Sequence, residues 1–209
     1  MNASHIKVLA LNGSARNDND LPVLLQYVLT ELEREGIQTE LVELRMTMIH
    51  ACLACDECET LRNGQCAQTD DMGNTLIEKM AQADGILFGS PTEEADISPQ
   101  MKALLERACS VAQANHQMFR HKVGAAVVSV HSAGAIQAFD TLSHFFMVNE
   151  MVVPGTSYWN AGIGRQGRTV DSSTDDYATM KTLGKNMAWL LENLKGQFAF
   201  PDLVEIVSQ

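Results

Sequence analysis

Apolar residues follow two rhythms along this chain. Short, nearly continuous apolar runs occur at 5–12 (HIKVLALN), 85–90 (GILFGS) and 122–130 (KVGAAVVSV). Runs that are apolar on both faces predict strands buried inside a sheet. Between them the spacing changes. Leu21, Leu24, Leu25, Val28, Leu29 and Leu32 repeat at helical intervals across 21–35, with Asp20 as N-cap and Gly36 as stop. The spacing predicts further helices at 70–83, 98–113, 135–149 and 174–194. Asp70 or Asp71 is expected to cap the first of these, and Ser98 to cap the second with Pro99 in its first turn. TELVEL (39–44) reads as a second strand, and MVVPGTSY (151–158) opens with a short fifth strand.

This is a β-α unit repeated five times. Such a pattern predicts an α/β fold: a five-stranded parallel sheet, doubly wound, with helices on both faces. The whole chain, 1–209, is expected to form a single domain, with a cysteine-rich loop at 51–69 and a C-terminal tail at 195–209 whose apolar residues show no period. Ligands of doubly wound sheets lie beyond the carboxyl ends of the strands. The loops to watch are therefore 12–20, 90–98 and 131–135.

Charge narrows the functions. The net charge of −11 repels phosphate backbones, so nucleic acid is not an expected partner. No apolar run reaches the roughly 18 residues of a membrane span, and the N-terminus lacks a signal peptide's features. A cytoplasmic location is expected, and thiols stay reduced there.

Two loops carry candidate chemistry. In the first, NGSARNDND (12–20), Gly13 allows a tight turn, and Ser14, Arg16, Asn17 and Asn19 offer donors ahead of a helix N-terminus. That suits one phosphate. It is neither a Walker loop nor G-x-G-x-x-G, and a plain polar turn is the competing reading. The second holds four of the five cysteines, Cys52, Cys55, Cys58 and Cys66, spaced C-x2-C-x2-C-x7-C. In a reducing compartment this group points to metal or redox chemistry. Successive x2 spacings with a distal fourth thiol suit a [4Fe–4S] cluster. Zinc, which prefers two separated knuckles, is the rival, and a site without metal is the third option. Asp56, Glu57 and Glu59 flank the thiols. They would lower a cluster's potential, or they are simply a solvated acidic loop. Cys109 reads as a core residue, and His50 and His131 as structural. Arg165 and Arg168 lie in a Gly-rich loop that either covers an anionic cofactor or is solvated.

Four segments in order resemble one family: LNGSARNDN after the first strand, the cysteine motif followed by DDM, ADGILFGSPT, and SPQMKALLERA. Over roughly residues 6–190 they are similar to the flavodoxin-like NAD(P)H-dependent FMN reductases, and more narrowly to the iron–sulfur flavoproteins. The resemblance implies a flavodoxin-like sheet of order 2-1-3-4-5. It implies FMN, with its phosphate on Ser14, Arg16 and Asn19, its ring along Pro91, Thr92 and Glu93, and Ser132 to Gly134 closing the third side. It implies a [4Fe–4S] cluster on the four cysteines. It also implies NAD(P)H or reduced ferredoxin as donor, and a homodimer or homotetramer. The chain departs from the family at Asp20, where Thr or Ser is usual, and at 93–96 (EEAD), where an aromatic residue and Gly are usual.

The leading expectation is a flavin-dependent oxidoreductase or electron-transfer flavoprotein. The hydride chemistry belongs to the cofactor, so no acid or base residue is assigned. Two alternatives are a plain NAD(P)H-dependent FMN or quinone reductase with idle cysteines, and a non-catalytic metal or redox-sensing module without flavin.

Overall fold

The computed structural model describes residues 6–16, 20–130, 133–157, 161–163 (backbone only) and 175–195. In chain order these form β1 (Lys7–Asn12), α1 (Leu21–Arg34), β2 (Gln38–Glu43), α2 (Glu57–Leu61), α3 (Gly73–Gln82), β3 (Gly85–Pro91), α4 (Pro99–Ala114), β4 (Val123–Ser129), α5 (Ala135–Val148), β5 (Ala161–Ile163) and α6 (Asp175–Leu194). β2, β1, β3 and β4 lie side by side in that order, all parallel, and β5 lies parallel at the edge beside β4.

Strand side chains alternate between faces, and that alternation builds two cores. Leu9, Leu11, Ile86, Phe88, Ala126 and Val128 pack against α3, α4 and α5. Val8, Ala10, Leu87, Val123, Ala125 and Val127 pack against α1 and α6. The central strands β3 and β4 are therefore buried on both faces, which is why they read as unbroken apolar runs. Phe88 stacks on Phe146 and meets Phe145 edge-on. Lys122 ties the end of α3 to the start of β4, its Nζ donating to the Ala81 and Ala83 carbonyls at 2.8 and 2.5 Å.

Four sequence expectations change. Residues 151–158 hold no strand among those described: Val152 makes one isolated parallel bridge to Val123, and the position beside β4 goes to Ala161–Ile163. A single turn of helix, α2, interrupts the cysteine segment. The helix expected at 70–83 starts at Gly73, with Met72 at its N-cap and no side-chain cap. Asp20 occupies the N-cap position of α1 but its carboxylate makes no cap hydrogen bond. Ser98 does cap α4, accepting from the Met101 N–H at 3.4 Å.

Candidate functional site

The carboxyl ends of β1, β3 and β4 bring three loops together. After β1, the Gly13 N–H donates to the Gly89 carbonyl at 2.8 Å, pinning the loop to β3. The Asn12 side chain bridges outward and inward: its Nδ2 donates to Glu43 Oε2 at 2.7 Å, and its Oδ1 accepts from the Ser14 N–H at 3.0 Å. Ser14 is buried, and its hydroxyl accepts from the Arg16 N–H at 3.1 Å. The Arg16 side chain stays largely exposed and lies 3.9 Å from the Glu93 carboxylate. Asn17 and Asn19 lie outside the described residues, as does Ser132.

The second loop begins at Pro91 and Thr92. The Thr92 N–H donates to the Ser129 carbonyl at 3.0 Å, so this loop stays attached to β4. Glu93 and Asp96 then close a two-residue turn through paired backbone bonds of 2.7 and 3.0 Å. Its central residues, Glu94 and Ala95, both have positive φ, 48° and 67°. That is the form of a type I′ turn, for which Asn-Gly is the favoured pair. Asp96 anchors the turn, its Oδ1 accepting from Thr141 Oγ1 at 2.7 Å. Gly134 presses on it from the third loop: with φ +86°, a Cβ there would stand 2.5 Å from the Ala95 Cα. Glu93 thus reaches Arg16 on one side while Ala95 meets Gly134 on the other. Of the acids read as departures from the family pattern, Glu93 stands between the loops against Arg16, and Asp20 lies at the start of α1.

The cysteine segment forms the second candidate site. Cys52, Cys55, Cys58 and Cys66 are all unpaired thiols and line one cavity of about 120 Å³. The backbone curls around it: Ala54, Asp56 and Arg62 adopt the left-handed conformation, uncommon for such residues and concentrated at functional sites. The Ala54 N–H points at Cys52 Sγ at 3.4 Å, and Ser110 Oγ lies 3.7 Å from the same sulfur. The returning limb is fastened by Asn74, whose Oδ1 accepts from the Cys66 N–H at 2.8 Å and whose Nδ2 donates to the Cys66 carbonyl at 2.9 Å. Asn115 holds the bend, accepting from the Gly64 N–H at 2.9 Å. Burial pushes the Cys58 thiol up, nearby thiols at Cys66 and Cys52 push the same way, and the N–H groups of Cys58 and Glu59 oppose them. Among the described residues, no three His, Cys, Asp or Glu side chains are grouped as ligands of a single ion.

Behind the cavity lies an ion pair that the sequence did not announce. Arg107 and Asp71 have fully buried side chains and hydrogen-bond each other. Arg107 also donates to the Gln68 carbonyl at 3.0 Å and the His50 carbonyl at 3.4 Å. Asp71 accepts from the N–H groups of His50 (2.6 Å) and Gly73 (2.8 Å). Burial raises the Asp71 carboxyl, but those two N–H groups and the guanidinium outweigh it and hold it below the ordinary 3.8. The expected helix-capping role of Asp71 survives only as its bond to Gly73. Asp70 is exposed instead, 3.7 Å from His50 Nε2. Arg107 occupies the apolar stripe of α4 with Leu104, Ala108 and Val111. An arginine at a core-facing position was the signal available. Cys109 packs against the core beside Asn149 and Gln113.

This sheet order and these loops define a flavodoxin-like α/β protein. A family model described as NADPH-dependent FMN reductase matches residues 6–166, and the chain belongs to that family. It is 28% identical over 197 residues to an iron–sulfur flavoprotein of Methanocaldococcus jannaschii, covering 91% of this chain and all of that one. It is 35% identical to one from Archaeoglobus fulgidus over 124 residues, 59% of each chain. Among solved structures, RosB with a bound 8-demethyl-8-formylriboflavin-5'-phosphate intermediate aligns with a TM-score of 0.71 at 19% identity, over 97% of this chain and 85% of that one. An NADH:FMN oxidoreductase, in apo form, aligns with a TM-score of 0.61 at 16% identity, over 91% of each. These structural likenesses establish the fold. Among the described residues no helix is long and apolar enough to cross a membrane.

Proposed function

We propose that this chain is a cytoplasmic redox flavoprotein that holds FMN at the carboxyl edge of its sheet and a [4Fe–4S] cluster in the cysteine cavity. The carrying observation is that all four motif cysteines line one cavity of about 120 Å³. One water needs roughly 10–15 Å³ of such space, so the cavity suits a multi-atom group better than a lone zinc ion. The chain's own N–H at Ala54 supplies a donor to Cys52 sulfur, the kind of contact that tunes a cluster's potential.

At the sheet edge Arg16 and the start of α1 offer a guanidinium and a positive helix end to the FMN phosphate, with Asn17 and Asn19 in the same loop; the buried Ser14 hydroxyl, bonded to the Arg16 N–H and carbonyl, would have to exchange a partner to join them. By the family resemblance Pro91, Thr92 and Glu93 would border the ring, and Ser132 and Gly134 would close its third side. Bound flavin supplies exchange between two-electron and one-electron partners, and the cluster a one-electron relay. NAD(P)H or reduced ferredoxin would be the donor. A homodimer or homotetramer is supported by exposed apolar side chains around the cysteine loop: Met46, Met48, Leu53, Leu61 and Met72.

One observation favours a second reading, a cluster module without flavin: Glu93 already supplies Arg16 with an anion. The visible spectrum of anaerobically purified protein separates the readings. Flavin bands above a broad iron–sulfur absorption support the main proposal. Iron–sulfur absorption alone supports the module, and flavin alone a plain reductase with idle cysteines. A colourless protein after reconstitution with iron, sulfide and FMN refutes them all.

A further inference from the structure

Four cysteines holding a cluster as thiolates would concentrate negative charge in one cavity, which Asp56 also lines. Charge partly withdrawn from water, as it would be at half-buried Cys52, Cys58 and Cys66, favours a nearby cation. Among the described lining residues, Arg107 is the one cation. Its side chain is fully buried, and its two terminal nitrogens are committed to Asp71 and to the carbonyls of His50 and Gln68. Its Nε is different: it is buried and has no hydrogen-bond partner. Buried guanidinium N–H groups are seldom left so, and an unpaired one calls for an explanation. Asp71 is not among the cavity's lining residues, so of the pair it is the positive member that borders the site. The fork has little freedom, because a Cβ at Gly73 would stand 2.5 Å from the guanidinium carbon.

We propose that Arg107 is the counter-charge of the cysteine site: Asp71 and the two carbonyls hold its fork, and Nε is the donor reserved for a sulfur of the bound group. Arg107 is a positioning and tuning residue, and its role rests on the reading that the cysteines hold a cluster. The purely structural alternative makes Arg107 a tie between α4 and the 50–71 segment. It predicts changes in stability alone.

The two accounts part on the cluster's reduction potential. Arg107→Lys keeps the charge, Arg107→Gln removes it, and Arg107→Gln with Asp71→Asn removes both charges so that no buried ion is left unpaired. Each protein is reconstituted with iron and sulfide, its iron content measured, and its potential followed by mediated titration. Arg107→Gln should disfavour reduction by about tenfold, a 59 mV more negative potential for a one-electron couple. The double variant should shift in the same direction, and Arg107→Lys should restore most of the loss. If Arg107→Gln does not fold, the double variant carries the comparison. Cobalt(II) added to the metal-free proteins gives a readout independent of cluster assembly: its thiolate complex should be about tenfold weaker without the guanidinium. Loaded charge-free variants with the wild-type potential and unchanged cobalt affinity would overturn the role of Arg107 and leave the cluster standing. A wild-type protein that takes up neither iron and sulfide nor cobalt would overturn the cluster reading, and the counter-charge with it.

Discussion

Arg107 and Asp71 are opposite charges with no exposed surface, and removing one member of such a pair costs far more than the pair contributes. Asp71→Asn is therefore expected to lower stability by about 3–5 kcal/mol at neutral pH, read from urea unfolding. The same carboxylate gives an acid signature. Its folded pKa lies below the ordinary 3.8, so its contribution is complete above that value and is lost as pH falls through the folded one. Wild-type stability should decline below pH 3.8 with a component that Asp71→Asn lacks, and parallel slopes would show that Asp71 titrates normally. Gly73→Ala would press a methyl into the guanidinium, at a cost of about 1–3 kcal/mol. At the sheet edge, Glu93→Gln frees Arg16 from its carboxylate. It should tighten FMN about fivefold, on the order of 1 kcal/mol, by fluorescence titration, whereas unchanged affinity would clear Glu93 of obstructing the phosphate loop. That the four motif cysteines share one cavity was legible, because closely spaced thiols in one loop can be brought together by a single bend of the chain. Arg107 was only half legible: its place on the apolar stripe of α4 was a signal, but nothing in the sequence pairs it with Asp71.

Elements followed the same division. Buried strands and long amphipathic helices were readable because one packing environment acts on many residues at once, as in β3, β4 and α1. Short pieces were not. α2 spans only Glu57–Leu61 and is bounded by left-handed Asp56 and Arg62, which no apolar period encodes. MVVPGTSY has the composition of a strand, yet its neighbour β4 is paired instead with Ala161–Ile163, apart from the single bridge at Val152. The 93–96 turn offers a test at this scale. Its positive φ angles at Glu94 and Ala95 cost a side-chain-bearing residue roughly 1 kcal/mol or more each. Glu94→Asn with Ala95→Gly should therefore stabilise the protein by about 1 kcal/mol, measured as a rise in urea midpoint with unchanged slope. A loss would mean that the turn is not of this type.

At the scale of the whole molecule, the parallel sheet places two sites at opposite characters of the same architecture. One lies where the strands end and loops meet, the position at which doubly wound sheets bind ligands. The other is built outside the sheet, in a long excursion between β2 and α3 supported by Arg107 and Ser110 of α4 and by Asn115 at its C-terminal cap. The match to the FMN reductase family spans the residues of both, and the second carries the four-cysteine motif. The account therefore stands on the cysteine cavity. Its most direct test is the iron, acid-labile sulfide and FMN content of protein purified without oxygen. The account predicts about four iron and four sulfide per chain, lost together when Cys55 is replaced by Ser, with FMN retained. Stoichiometric zinc without sulfide, or no metal after reconstitution, would contradict it.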